Sequence, residues 1–160
     1  MATAAEKAIE ILQGQVGTPD GTGEWLEIDQ DRINLFADAT LDHQFIHIDP
    51  EKSAELSPYK VTIAHGFLTL SLLPHLTASI PQQNAAAYEG VVMGVNYGLD
   101  KVRFPSPVKV DSKVRAHREL MEATLVNPST IQLKNKVTIE IDGEDKPACV
   151  AEFLSRMIYG

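Results

Sequence analysis

Between Ile63 and Ile80 the chain is apolar almost all the way round, with Thr69, Ser71 and Thr77 among its few polar residues. A helix without a polar side cannot lie on a surface, so the rest of the chain has to wrap it. The residues after it supply the wrapping. From Gly90 onward the apolar positions recur with period two, and Gly90–Phe104, Val108–Val126, Thr130–Ile141 and Pro147–Tyr159 read as strands. Turns are expected at Pro105-Ser106-Pro107, Asn127-Pro128 and Asp142-Gly143. In the third strand Ile131, Leu133, Val137, Ile139 and Ile141 alternate with Gln132, Lys134, Lys136, Thr138 and Glu140, the pattern of an antiparallel strand with one wet face. The last strand carries Cys149, Ala151, Phe153 and Met157 on one face and Val150, Leu154 and Ile158 on the other, so a central place is expected for it. Helices first and a meander after them make an α+β fold in which the sheet rolls around the apolar helix. Pro74 should bend that helix. Phe67, Leu68, Leu72 and Leu73 are expected to be core. A sheet of this kind leaves an edge best covered by a partner, so a homodimer is expected.

The N-terminal half is read from its punctuation. Residues 3–12 form a short helix, an extension to the main domain, and Gly14 to Gly21 break it. Glu24–Ile28 alternates as a short strand. Asp29 caps the next helix, which ends near Thr40. Leu41 to Ile48 is then a loop, and Asp49-Pro50 starts another helix, with Asp49 as its cap.

The chain has 160 residues and is expected to form one domain, residues 1–160. It carries a net charge of -8, which excludes the basic surface that nucleic acid requires. No apolar run is long enough for a membrane span, and the first residues lack the basic and apolar regions of a secretory signal. Cys149 is the only cysteine, so neither an internal disulfide nor a multi-thiolate zinc site can form. A cytoplasmic location fits these features.

One window carries chemistry. Phe36-Ala37-Asp38-Ala39-Thr40-Leu41-Asp42-His43-Gln44-Phe45-Ile46-His47-Ile48-Asp49-Pro50 places a carboxylate and an imidazole five residues apart. Such a pair can hold a water, one member removing a proton and the other delivering one, if both reach the same water. Imidazole suits the task because its ordinary pKa is near neutrality. A backbone N–H at the start of the buried helix would then stabilise an oxyanion, and Gly66 is placed to let a carbonyl oxygen come close. Each residue also has a plain reading: Asp42 as a loop or cap residue, His47 as a core histidine on a backbone carbonyl, Gly66 as a packing glycine. His43 is read as solvent-facing, His65 as ordering the turn before the helix, and Cys149 as inert packing.

The whole window resembles the hydratase motif of the MaoC-like family. The matching elements are Phe36-Ala37, Asp42, His47, Asp49-Pro50 and Ala64-His65-Gly66, followed by Asn96-Tyr97-Gly98, Val102-Arg103-Phe104 and Pro107-Val108. The resemblance spans about residues 25–120 and is nearest the single-domain, nodulation protein N-like branch. It implies a hot-dog fold: a curved antiparallel sheet wrapped around a long central apolar helix. It implies an enoyl-CoA hydratase, a lyase that converts trans-2-enoyl-CoA to (R)-3-hydroxyacyl-CoA. Asp42 and His47 would be the catalytic dyad, and the amide of Gly66 would meet the thioester oxygen. Asn96, Arg103 and Phe67 are candidate substrate-binding residues. No metal or redox cofactor is expected, coenzyme A being part of the acyl-CoA thioester substrate. Two other hot-dog readings remain at this point: an acyl-CoA thioesterase and a non-catalytic acyl-CoA-binding partner subunit. Leu41 stands where many members have glycine, and Gln44-Phe45 replaces the usual Asn-Pro. Because leucine adopts glycine-only angles at a cost, an ordinary loop conformation is expected there.

Overall fold

Four long strands set the architecture, and their alternation decides which residues meet. The computed structural model describes the chain from Met1 to Gly160. Strands β3 (Val91–Arg103), β4 (Ser112–Asn127), β5 (Thr130–Ile141) and β6 (Cys149–Tyr159) join two short ones, β1 (Pro19–Thr22) and β2 (Leu26–Ile28), in one antiparallel sheet. Its order is β1-β4-β5-β6-β3, and β2 also pairs with β4. β1 lies partly in the stretch read as a helix-breaking loop. Pro19 and Gly21 look like turn residues, yet a strand on the outer side of β4 has one edge to spare and tolerates both. β6 is interior, as its apolar composition suggests, but it lies one strand from the edge rather than at the centre; β5 holds the middle.

One face of this sheet is dry. The odd-numbered residues of β5 from Ile131 to Ile141 are all buried. Two helical elements cover that face. At one end α1 (Ala4–Gln15) packs Ala5, Ala8 and Leu12 against Leu120, Ile131, Leu133 and Met157. It begins at a capping box between Thr3 and Glu6 and runs past Gly14, three residues further than the 3–12 expected. At the other end the apolar window packs Leu68, Leu73 and Leu76 against Val114, Ala116, Val137, Ile139, Cys149 and Ala151. A side chain as fully buried as Leu76 contributes about 1.5–3 kcal/mol. Burial also pushes the Cys149 thiol up to about 11, in keeping with inert packing.

The central helix departs from the expected single long element. Ile63 forms a bridge with Lys109, and Ala64 N–H donates to the Val108 carbonyl at 2.8 Å, so helix begins only at Gly66. It then comes in two pieces, α5 (Gly66–Ser71) and α6 (Leu73–Ala78), which meet at Leu72. Pro74 is the cause, since it offers no N–H to the preceding turn and its ring crowds that turn. The helical path continues through the joint, because Leu72 donates to Leu68 and Leu76 to Leu72. Phe67, expected in the core, is 69% exposed. Its aromatic neighbour is the Phe104 ring just beyond β3, edge-on at 6.1 Å, rather than a residue of the dry face.

The loop carrying Asp42 and His47 also differs from expectation. α2 (Gln30–Thr40) is capped by Asp29, which accepts from Arg32 N–H, and α4 (Pro50–Leu56) by Asp49, which accepts from Lys52 N–H. Between them lies a one-turn helix, α3 (Phe45–Ile48), with His47 in its turn. Leu41 does not take an ordinary conformation: it ends α2 in the left-handed region at φ 65°. The chain must reverse there to bring Asp42 back beside α5, and the leucine, 81% exposed, carries only the backbone strain. Leu41→Gly is therefore expected to raise stability by about 0.5–1 kcal/mol, the relief of that strain exceeding glycine's extra chain entropy. Urea unfolding checks this. A midpoint that rises at constant slope agrees, and one that falls places the strain elsewhere.

Candidate active site

Three segments converge where α2, α3 and α5 meet. His47 is buried, and its Nδ1–H donates to the Ile63 carbonyl at 2.7 Å. A carbonyl only accepts, so that nitrogen holds the proton and Nε2 of the neutral ring is left with its lone pair. The backbone of His47 is held as well. Its carbonyl accepts from Gln30 Nε2 at 2.7 Å, and the amide oxygen of Gln30 accepts from the Thr62 hydroxyl. His65, also buried, donates from Nε2 to the Asp42 carbonyl at 2.9 Å. Its ring stacks on that of His47 with centroids 3.7 Å apart and planes 23° from parallel. Phe36 also tilts against His65, with ring centroids 5.0 Å apart. Asp42 is thus tied by its own backbone to the start of α5, while its carboxylate stays about half exposed.

Reactive atoms of Asp42, His47 and His65 lie within 4.8 Å of one another. Burial pushes the His47 pKa below its ordinary value; the Ile63 carbonyl draws it back up, His65 lowers it and Asp42 raises it. The three residues also have the composition of a metal site. Their geometry serves one poorly: the His65 nitrogen 3.9 Å from the Asp42 carboxylate, Nε2, already donates to the Asp42 carbonyl, and lone pairs in nearly parallel stacked planes do not converge on one ion. Beside them is a cavity of about 300 Å³, walled by His47, Gly66, Thr69, Phe104, Val108 and Ala148 among others. Gly66 opens α5, so its N–H has no acceptor one turn earlier in the helix. A Cβ on Gly66 would come within 3.0 Å of the Phe104 ring, which gives the glycine a packing reason as well.

The structure therefore brings Asp42 beside His47, and His47 and Gly66 to one cavity, whose wall Asp42 does not join. It does not bring the three substrate-binding candidates to the same cavity. Phe67 stands outside, edge-on to Phe104 at 6.1 Å. Arg103 is exposed and donates to the neighbouring Val102 carbonyl. Asn96, on β3, lines two other cavities. His43 pairs with Asp38 at 2.7 Å on the surface. Two supporting residues went unread in the sequence. His65 had a local signal, its place before Gly66, but only the turn it orders was read from it. Gln30 had none, because it reaches His47 across seventeen residues of chain.

Residues 12–141 match a family model described as a MaoC like domain. The chain belongs to the MaoC-like dehydratase family. Among its MaoC-like relatives, 3-hydroxyacyl-thioester dehydratase Z of Mycobacterium tuberculosis is 45% identical over 152 residues, covering 95% of this chain and 97% of the relative. Nodulation protein N of Rhizobium leguminosarum bv. viciae is 44% identical, covering 94% and 91%. The solved R-hydratase PhaJ1 from Pseudomonas aeruginosa is 21% identical, with a TM-score of 0.66 over 99% of this chain and 86% of that one. The monoamine oxidase regulatory protein from Archaeoglobus fulgius superposes with a TM-score of 0.72 at 21% identity, covering 91% and 92%. The fold is the hot-dog fold of these MaoC-like proteins. No helix in the chain is long and apolar enough to cross a membrane.

Proposed function

We propose that this MaoC-like chain adds water reversibly across the double bond of a trans-2-enoyl-CoA, giving an (R)-3-hydroxyacyl-CoA. One observation carries the reading: a ring nitrogen of the neutral, buried His47, whose Nε2 keeps its lone pair, lies within 4.8 Å of a carboxylate oxygen of Asp42, and His47 shares a cavity with Gly66 at the start of α5. Both atoms are acceptors, so a single water can donate to both. The thioester draws electron density from C3, and the water oxygen bonds there while one of its protons passes to the dyad. The π pair moves toward the thioester oxygen, where the Gly66 N–H stabilises the growing charge. C2 then takes a proton from the dyad, which returns to its starting state. The step needs no metal or redox group, because conjugation to the thioester already activates C3.

The curated relative's name, a 3-hydroxyacyl-thioester dehydratase, fits the same reaction run in reverse. A thioesterase would direct water at the carbonyl carbon instead, and a non-catalytic acyl-binding subunit has no need of a held dyad. A second copy of the chain is the natural cover for β3, whose outer edge is unpaired and whose Val92, Met93 and Tyr97 are more than half exposed. Addition of the protein to crotonyl-CoA tests the proposal. The conjugated enoyl absorbance should disappear without release of free thiol, and the product should be the (R) enantiomer. Thiol release from saturated acyl-CoA with no loss of enoyl absorbance would make it a thioesterase.

A further inference from the structure

The dry face of the sheet is interrupted by polar residues, and they fall on one line. On β5 the buried row Ile131, Leu133, Val137, Ile139 and Ile141 includes Asn135, which is 8% exposed. On β4 the same face carries Arg118 between Ala116 and Leu120, and on β6 it carries Ser155 between Phe153 and Met157. The register places these side by side. Arg118 opposes Val137, one step along from Asn135; Asn135 opposes Phe153, one step from Ser155; and Ser155 pairs directly with Asn96 on β3. Diagonal neighbours on one sheet face are about 7–8 Å apart, so the four form a polar diagonal across four strands. It runs along the seam between the core under α1 and the core under α5 and α6.

The diagonal borders a cavity of about 310 Å³, whose wall includes Asn96, Asn135, Ser155, Arg118 and Gln15. Gln15 presents a buried Nε2 with no hydrogen-bond partner. A buried donor of this kind is costly unless something accepts from it. The charge of Arg118 is already met, by Asp20 at 2.6 Å.

The position of this cavity links it to the dyad. Openings follow one another along the central helix: the His47 cavity at Gly66 and Thr69, a second of about 360 Å³ at Leu70, Ser71 and Leu73, and the polar one at Pro74, Thr77 and Ala78. The last two share Pro74, Asn96 and Phe153. Pro74 is eight residues beyond Gly66, roughly 12 Å along a helix. An acyl chain whose thioester sits at Gly66 and which follows α5 would bring its far end to the polar diagonal at medium length.

Resting on the hydratase reading, we infer that the substrate is an acyl-CoA whose chain carries a neutral hydrogen-bonding group, such as a hydroxyl, near its far end, and that Asn135 and Ser155 select for it. A carboxylate is disfavoured because Asp20 lines the same cavity and already pairs with Arg118, while the other arginine of the wall, Arg156, donates to Gln132 and stacks on Tyr97. A plain methyl end is disfavoured because it would strip water from Asn135, Ser155 and Gln15 and return no bond. Sites built to bond a hydroxyl reject the analogue lacking it for this reason.

Calorimetric binding of unreactive saturated thioesters tests the inference without relying on turnover. ω-Hydroxydecanoyl-CoA should bind about tenfold more tightly than decanoyl-CoA, the effect of ~1.4 kcal/mol. The hexanoyl pair, too short to reach, should show no difference. Asn135→Leu should reverse the decanoyl preference. Ser155→Ala should reduce the preference, and it serves as the probe if Asn135→Leu does not fold. Equal binding of the decanoyl pair, or tighter binding of the plain chain, overturns the inference. A preserved hydroxyl preference with no crotonyl-CoA hydration would instead overturn the hydratase reading and leave the polar pocket standing.

Discussion

Asp42→Asn and His47→Gln are each expected to lower kcat/KM for crotonyl-CoA by on the order of 10²–10⁴-fold. Asparagine offers an amide where the water needs an acceptor that can take up a proton. Glutamine can still donate to the Ile63 carbonyl in place of Nδ1–H, so the local fold survives, but it supplies no basic lone pair. The double variant should be little worse than either single one, because residues handling one water act as a unit. Unfolding midpoints should move little for Asp42→Asn, whose side chain is half exposed. Full activity in both variants would remove the dyad from the proposal. The pH dependence follows from the same burial. His47 is held below the ordinary imidazole value of about 6.5, so it remains neutral below that pH in the folded chain. Its contribution to stability is complete above about pH 6.5 and is lost as pH falls through the lowered folded value. The acid limb of kcat/KM should likewise lie below pH ~6.5. A limb above it would mean that His47 is not the titrating group.

Gly66→Val is expected to lower kcat/KM on the order of 10²-fold. The first added carbon already meets the Phe104 ring at 3.0–3.1 Å, and the branches of valine have to displace that ring or turn into the cavity shared with His47. Either movement takes the thioester oxygen away from the amide at the start of α5. Gly66 has no positive φ, so the substitution tests close approach rather than backbone strain. The stability cost should be small, because Phe104 is partly exposed and its ring can move. Steady-state kinetics beside thermal unfolding separates the two effects. Unchanged kinetics in a folded Gly66→Val protein would rule out the amide as the oxyanion donor.

Local chemistry explains why so much of this could be read in advance. The alternation in Ile131–Ile141, the caps at Asp29 and Asp49 and the turn at Asp142-Gly143 each depend on residues a few positions apart, and each is found as expected. The Asp42-to-His47 spacing was visible for the same reason. The misreadings share the opposite character. Pro19 and Gly21 looked like loop residues because nothing nearby reveals the free edge of β4. Leu41 looked unable to adopt a left-handed turn because the need to return Asp42 to α5 is not a local property. Phe67 looked like core because an apolar helix pattern does not show which of its positions the rest of the chain covers.

Periodicity and capping chemistry act within a few residues, so the sequence by itself determined the four long strands, the helix starts at Asp29 and Asp49, the α+β class and the spacing that singles out Asp42 and His47 as candidates. Tertiary structure decided the rest: that His65 stacks on His47, that Gln30 holds the His47 carbonyl, and that Arg118, Asn135, Ser155 and Asn96 share one diagonal. Each of those contacts depends on strand register or helix packing between segments far apart in the chain, and a one-residue shift in register would turn every side chain to the other face.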